Sequence, residues 1–264
     1  MCMLSESTKL RLSDSCCATG FSKAEPFPKI ILDNFLEHEL AMKIASEFPS
    51  RSASFIEKYS NLIEVKDTLN HWSKFQPNTY RVLNYFCSVE FVELISRTLL
   101  KTTGNLFPDY GLHGGGIHMH GPGGKSNVHL DYSLHPKLKL QRKLNLLLYL
   151  TPEWNEDWGG ALGLYESKSN KNPGRLIEKV FPHFNRAIIF DVTNAWHGLP
   201  ESICCPNNVS RNSLAAYYLQ TPDSSADFSR LKAKFVAAPW QENDPDVQDL
   251  IAKRASLTQA QSIY

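Results

Sequence analysis

The stretch Arg142–Glu166, RKLNLLLYLTPEWNEDWGGALGLYE, decides how the rest of the chain is read. Asn145, Leu147 and Tyr149 fall two apart in it, so they share one face of an extended segment over Lys143–Thr151. Pro152, Asn155 and the pair Gly159–Gly160 then reverse the chain, and a second strand is expected over Gly160–Glu166. Trp154 and Trp158 read as residues that close this turn and cap a core. Outward from here the same pattern repeats. Short β-rich segments stand at Asn127–Tyr132, Arg175–Phe181, Arg186–Asp191, Trp196–Leu199 and Arg211–Leu219, separated by Gly, Pro and Asn turns. Many short strands with no helix between them predict an antiparallel sandwich or barrel of the jelly-roll type.

Beyond this region the period lengthens. PFPKIILDNFL, from Pro26, reads as a strand turned at Asp33 and Asn34, and the next segment places Leu40, Ile44 and Phe48 on one helical face before Pro49. A second helix is expected over Val89–Lys101, with Phe91, Leu94, Ile95 and Leu99 on its apolar side. The expected organisation is a flexible arm over 1–24, a mostly helical region over 25–106 packed on the core, the β-core over 107–221, and a C-terminal helical extension over 222–264 broken near Pro239 and Pro245.

Composition narrows the function classes. In 264 residues, 28 Lys plus Arg stand against 27 Asp plus Glu, with 42% hydrophobic residues. Disorder of the whole is excluded, and there is no excess of positive charge for a dedicated nucleic-acid binder or a polybasic membrane-surface protein. The expected partner is a small molecule or a peptide, with no nucleic acid and no membrane; nothing in the sequence sets an oligomeric state. No stretch approaches the roughly 20 apolar residues of a membrane helix. The first residues lack the pattern of a secretory signal, so a cytoplasmic location is expected. The six cysteines (Cys2, Cys16, Cys17, Cys87, Cys204, Cys205) show no C-x-x-C spacing and read as reduced thiols. GPGGKS is not a phosphate loop, because Met119 stands where that motif needs glycine.

His129 and Asp131 lie two apart in a candidate strand, which sends both side chains to one face, where each can reach one cation. Alone, the pair is weak. His197 follows at the end of a later strand, and Arg211 opens the next one. Two imidazoles and one carboxylate on one side of a metal leave the opposite positions open, as in non-haem Fe(II) oxygenases, with zinc the competitor from ligand types alone. A buried arginine at Arg211 needs an anion, either an acidic side chain or an acidic co-substrate, and its planar fork suits a carboxylate. His113, His118 and His120 read as loop residues near the cavity, and His135 and His183, beside prolines, as surface residues.

Together these residues resemble the Fe(II)/2-oxoglutarate-dependent dioxygenases, in particular the prolyl-4-hydroxylase-like branch. The resemblance covers about Phe107–Thr221 and rests on HGGGIHMHGPGG, HLD at 129–131, the central stretch quoted above, and NRAIIFDVTNAWHGLPESICCPNNVSRNSLAAYYL. It implies a mainly β (α+β) chain with a double-stranded β-helix (jelly-roll, cupin-like) core flanked by N- and C-terminal helices. It further implies iron on His129, Asp131 and His197, with Arg211 on the distal carboxylate of 2-oxoglutarate, aided by Tyr149 and by Ser213. Asn145, on the face of Tyr149, is expected to meet the ligand too. The implied reaction uses Fe(II), 2-oxoglutarate and O2, with ascorbate as reductant, to hydroxylate peptidyl proline, an amino acid or a small metabolite while releasing succinate and CO2. A non-catalytic cupin-like binding module is the alternative, as is the same iron site performing desaturation or ring closure. Lys125, Ser126 and Asn127 depart from the apolar residues many relatives carry there, which bears on the substrate-facing surface.

Overall fold

In the computed structural model, which describes residues 3–167 and 172–255, fourteen strands form two sheets among the described residues. In chain order they are β1 (Lys29–Leu32), β2 (Glu57–Ser60), β3 (Glu64–Leu69), β4 (Leu106–Pro108), β5 (Gly116–His120), β6 (Lys125–Ser126), β7 (His129–Leu130), β8 (Gln141–Tyr149), β9 (Leu162–Tyr165), β10 (Leu176–Val180), β11 (Ala187–Asp191), β12 (Trp196–Gly198), β13 (Arg211–Gln220) and β14 (Lys234–Phe235). The larger sheet runs β1-β11-β8-β13-β5-β3-β2, with β4 beside β13 and β6 beside β3; the smaller runs β10-β9-β12-β7-β14. Neighbours are antiparallel throughout, and the jelly-roll core expected from the sequence is present.

The alternation along β8 explains the layering. Leu144, Leu146 and Leu148 face outward and pack with Ile189, Leu214 and Ala216 against the helices, while Leu147 and Tyr149 face inward with Ile188, Phe190 and Leu164. The helical layer is α1 (Glu6–Ser13), α2 (Cys17–Ser22), α3 (His38–Ser46), α4 (Pro77–Phe86) and α5 (Val89–Ile95). Leu40, Ile44, Val82, Phe86, Phe91 and Ile95 fill the space between it and the larger sheet. Each such side chain contributes roughly 1.5–3 kcal/mol on burial, so the sheet's outer face and the helices hold each other in place.

Four expectations are corrected. Residues 1–24 are not a loose arm: Ser5 caps α1 by accepting from the Thr8 amide, and Leu4, Leu12, Cys17 and Phe21 enter the main core. The apolar spacing Leu4 to Leu12 is diluted by polar neighbours, which hid it. The region 25–106 also contains β2 and β3; their inward residues Glu64, Lys66 and Thr68 face a polar cavity, so no hydrophobic alternation marks them. The glycine-rich HGGGIHMH is largely strand β5. Gly116 (φ +89°) sits so close to β3 that a Cβ would lie 2.3 Å from the Leu69 carbonyl oxygen. The C-terminal extension is mainly irregular up to α6 (Pro245–Ala255), with β14 inserted into the smaller sheet; residues 256–264 lie outside the described residues. Among the described residues the five cysteines are free thiols, and no helix is long and apolar enough to cross a membrane.

Candidate metal and co-substrate site

Strands β7 and β12 pair so that His197 lies opposite His129. Their imidazole rings approach to 4.4 Å between centroids, and Asp131, one residue past β7, brings Oδ1 to 3.9 Å from His129 Nε2. One ligand atom from each of His129, Asp131 and His197 lies within 4.8 Å of the others, the single such group of His, Cys, Asp or Glu among the described residues. The sequence pair and the distant histidine are therefore gathered as expected.

The hydrogen bonds around them fix the ligand tautomers. His129 Nδ1 donates to the Asn127 carbonyl at 2.9 Å and His197 Nδ1 to the Ala195 carbonyl at 2.8 Å, which leaves each Nε2 lone pair for a cation. Burial, and then His197, pushes the His129 imidazole down to about 3, so it is neutral, as a metal ligand must be. Burial alone would raise the Asp131 carboxyl, but Arg142, followed by His197 and His129, pulls it to about 2. The carboxylate is thus charged at any ordinary pH.

Arg142 is the residue the sequence reading missed. Its Nη1 lies 3.3 Å from Asp131 Oδ2, its Nη2 donates to the His113 carbonyl at 2.8 Å, and its guanidinium carbon sits 3.5 Å from the centroids of both Tyr132 and Tyr217. A fully buried cation is costly unless paired and stacked in this way. The Arg in RKLNLLLYL carried the signal: a charge at the head of an otherwise buried strand needs a partner.

Arg211 stands opposite His120 on β13, and Ser213 lies between Tyr149 of β8 and His118 of β5. Arg211 is 3% exposed, and its Nε donates to the Gly160 carbonyl at 2.6 Å. Gly160 (φ +75°) has its Cα side against the Arg211 stem, which a side chain would displace. The guanidinium lies over the Tyr149 ring at 4.7 Å. Burial lowers the Arg211 pKa, with Tyr149 opposing. Among the described residues no acidic side chain pairs with Arg211, the buried Tyr149 hydroxyl lies beside its guanidinium, and the buried Asn145 Oδ1 has no hydrogen-bond partner. A buried fork without an anion, with the Tyr149 hydroxyl beside it, fits a small carboxylate. Asn145, Ser213 and Arg211 line a cavity of about 80 Å³ that reaches His129, Asp131 and His197.

A second cavity of about 390 Å³ also reaches His129 and Asp131, bounded by Tyr59, Lys66, His113, Tyr132, Arg142 and Phe235 among others. Glu64 and Lys66 of β3 and His118 border both cavities. Burial, then Lys66, pushes His118 down to about 3, and burial, then Arg211, pushes His120 well below its ordinary value, so both are neutral strand residues of the cavity wall. His135 is buried, against expectation: its Nδ1 accepts from the Lys137 and Leu138 amides and its Nε2 faces Asp109 at 3.6 Å. His183 is part-exposed beside Glu156, as expected. Trp154 donates to the Gly159 carbonyl and packs edge-on against Trp158, closing the turn as the sequence suggested.

Residues 115–219 match the family described as the 2OG-Fe(II) oxygenase superfamily. The chain is 28% identical over 78 residues to the prolyl 3-hydroxylase OGFOD1 of Mus musculus and 36% identical over 52 residues to that of Xenopus laevis. These matches span 29% and 20% of this chain and only 14% and 10% of those proteins. Among solved structures it is similar to a Pseudomonas putida prolyl-4-hydroxylase (TM-score 0.56, 15% identity, 79% of this chain and 98% of that one). It is equally similar to a Trichoplax adhaerens prolyl hydroxylase in complex with a hypoxia inducible factor peptide (TM-score 0.56, 15% identity, 81% and 91%). At these identities the likeness is one of fold.

Proposed function

We propose, from the match of residues 115–219 to the 2OG-Fe(II) oxygenase superfamily, that the chain is a dioxygenase converting 2-oxoglutarate, O2 and a substrate C–H group into succinate, CO2 and the hydroxylated product. The observation that carries this is the conjunction of a His129, Asp131, His197 cluster with a buried arginine that lacks an acidic partner one strand away. His129, Asp131 and His197 would hold Fe(II), and Arg211, with Tyr149, Ser213 and Asn145, would hold 2-oxoglutarate. When bound, iron with the oxoacid and O2 supplies the oxidising power.

The protein's own contribution is placement. The Asn127 and Ala195 carbonyls keep the two imidazoles turned with Nε2 inward, and Arg142 occupies the outer oxygen of Asp131 so that the other is free to ligate. Arg211 orients the acid from its far end, since its Nε is already fixed by Gly160 and its fork is left for a bidentate contact. Leu147, Leu162 and Leu164 on the inner face exclude water around the reacting atoms. A non-catalytic module has no physical need for this uncompensated arginine, and desaturation or ring closure would use the same residues.

The substrate belongs to the wider cavity. Peptidyl proline is the first candidate class, because the relatives are named prolyl hydroxylases, followed by a free amino acid or a small metabolite. Ascorbate as reductant belongs to the same proposal. The test is incubation of the protein with Fe(II), 2-oxoglutarate and O2 plus separate peptide and metabolite pools, followed by mass spectrometry. A product one oxygen heavier, formed with succinate and lost in Asp131→Ala, supports the reading; succinate formation unchanged by Asp131→Ala overturns it.

A further inference from the structure

The matched segment ends at residue 219, yet one wall of the metal site comes from beyond it. β14 adds to the edge of the smaller sheet beside β7 with Phe235 opposite His129, so the ligand's backbone is paired on one side by His197 and on the other by Phe235. The Phe235 ring stacks on the His129 imidazole at 4.6 Å between centroids with 16° between planes. The Nδ1 bond to Asn127 fixes the direction of the imidazole edge, whereas a parallel ring fixes its plane. β7 is only two residues long, so the plane depends on the rings packed against it, Phe235 in parallel and His197 at a 51° tilt.

Phe235 is itself firmly placed. It packs with Ile63 and Val247, and the next residue's amide donates to the Val128 carbonyl. The Arg254 guanidinium of α6 lies 4.1 Å from the Phe235 centroid while its Nη1 reaches Glu64 at 2.7 Å. A continuous set of contacts therefore runs from α6 through Phe235 to a metal ligand.

We infer that Phe235 is a positioning residue for His129, and that the segment from β14 to α6 is part of the metal centre rather than an appendage to it. The inference rests on His129 being an iron ligand. Its consequence is that the ring bounding the substrate-side cavity, which His129 and Asp131 also line, is the ring that holds the ligand plane.

The test is anaerobic Fe(II) titration of the full chain with 2-oxoglutarate, reading both affinity and the metal-to-ligand absorption band. Phe235→Leu keeps apolar volume but loses the flat stack; it should weaken Fe(II) binding about tenfold, in the range for residues that orient a ligand, and shift the band. Phe235→Tyr, which keeps the ring, should restore parent affinity and band. Leu12→Ala thins the main core without touching His129 or Phe235, and should lower the melting temperature while leaving both readings unchanged. Parent-like affinity and band in Phe235→Leu, failure of Phe235→Tyr to restore them, or an equal effect from Leu12→Ala would each overturn the inference. Absence of the band in the parent protein would instead remove the iron reading on which it rests. If Phe235→Leu does not fold, Phe235→Met is read against the same expectations.

Discussion

Replacing Arg211 with lysine should separate 2-oxoglutarate binding from metal binding. The side chain is 3% exposed, its Nε is bound to the Gly160 carbonyl, and the rest of the fork lies over Tyr149 facing the inner cavity. Lysine keeps the charge but brings a point donor on a differently shaped stem, so one of two parallel charge-assisted bonds to the distal carboxylate is lost. Such a bond contributes about 1.5–3 kcal/mol, which is roughly a 10- to 150-fold rise in the 2-oxoglutarate dissociation constant. Arg211→Ala should be worse, because a carboxylate would then be buried with no counter-charge. Tyr149→Phe removes one neutral donor and should cost about 0.5–1.5 kcal/mol. Calorimetry under anaerobic conditions measures all three, and Fe(II) affinity in the absence of 2-oxoglutarate should stay at the parent value. If Arg211→Ala binds 2-oxoglutarate as the parent does, Arg211 is a structural residue and the co-substrate assignment falls with it.

Arg142→Gln leaves the buried Asp131 without its counter-ion and should destabilise the metal-free protein by about 3–5 kcal/mol in denaturant titration; a loss below about 1 kcal/mol would mean the pair is not what holds Asp131. Leu12→Ala should cost about 2–5 kcal/mol, since α1 is packed into the main core, whereas a free arm would lose nothing measurable. Acidification should destabilise the metal-free fold between about pH 6.5 and pH 4, because His113, His118 and His129 have folded pKa values pushed down to about 4, 3 and 3 and the unfolded chain takes up protons there first. Asp131 and Glu64, held at about 2, keep their contribution down to about pH 5 and lose it progressively as pH falls from there towards 2; a melting temperature flat from pH 7 to pH 5 would contradict the histidine assignment. Asp131→Gly should abolish hydroxylation, and normal product formation by that variant would show that the carboxylate is not a ligand.

How legible the site was depended on what each residue faces. β8 could be read from Leu144 to Tyr149 because both its faces meet apolar layers, and β13 for the same reason. His129, Asp131, His197 and Arg211 were legible because their chemistry is unusual at strand depth. β3 was not, since Glu64, Lys66 and Thr68 point into a polar cavity and look like a solvated loop. His118 and His120 were hidden by the glycines before them, which in fact allow β5 to press against β3 and β13. Phe235 lay beyond reach for a different reason, and Arg142 signalled only its need of a partner: each contact is made across the fold, at 4.6 Å to His129 and 3.3 Å to Asp131, and no spacing rule encodes it.

The central claim is that His129, Asp131 and His197 form one iron site. Anaerobic titration of Fe(II) into the metal-free protein, with bound metal counted per chain, tests it most directly. One Fe(II) per chain is expected in the parent, with a large loss of affinity in each of His129→Ala, Asp131→Ala and His197→Ala and the far-ultraviolet circular dichroism unchanged. Stoichiometric binding that survives intact in any of the three would contradict it.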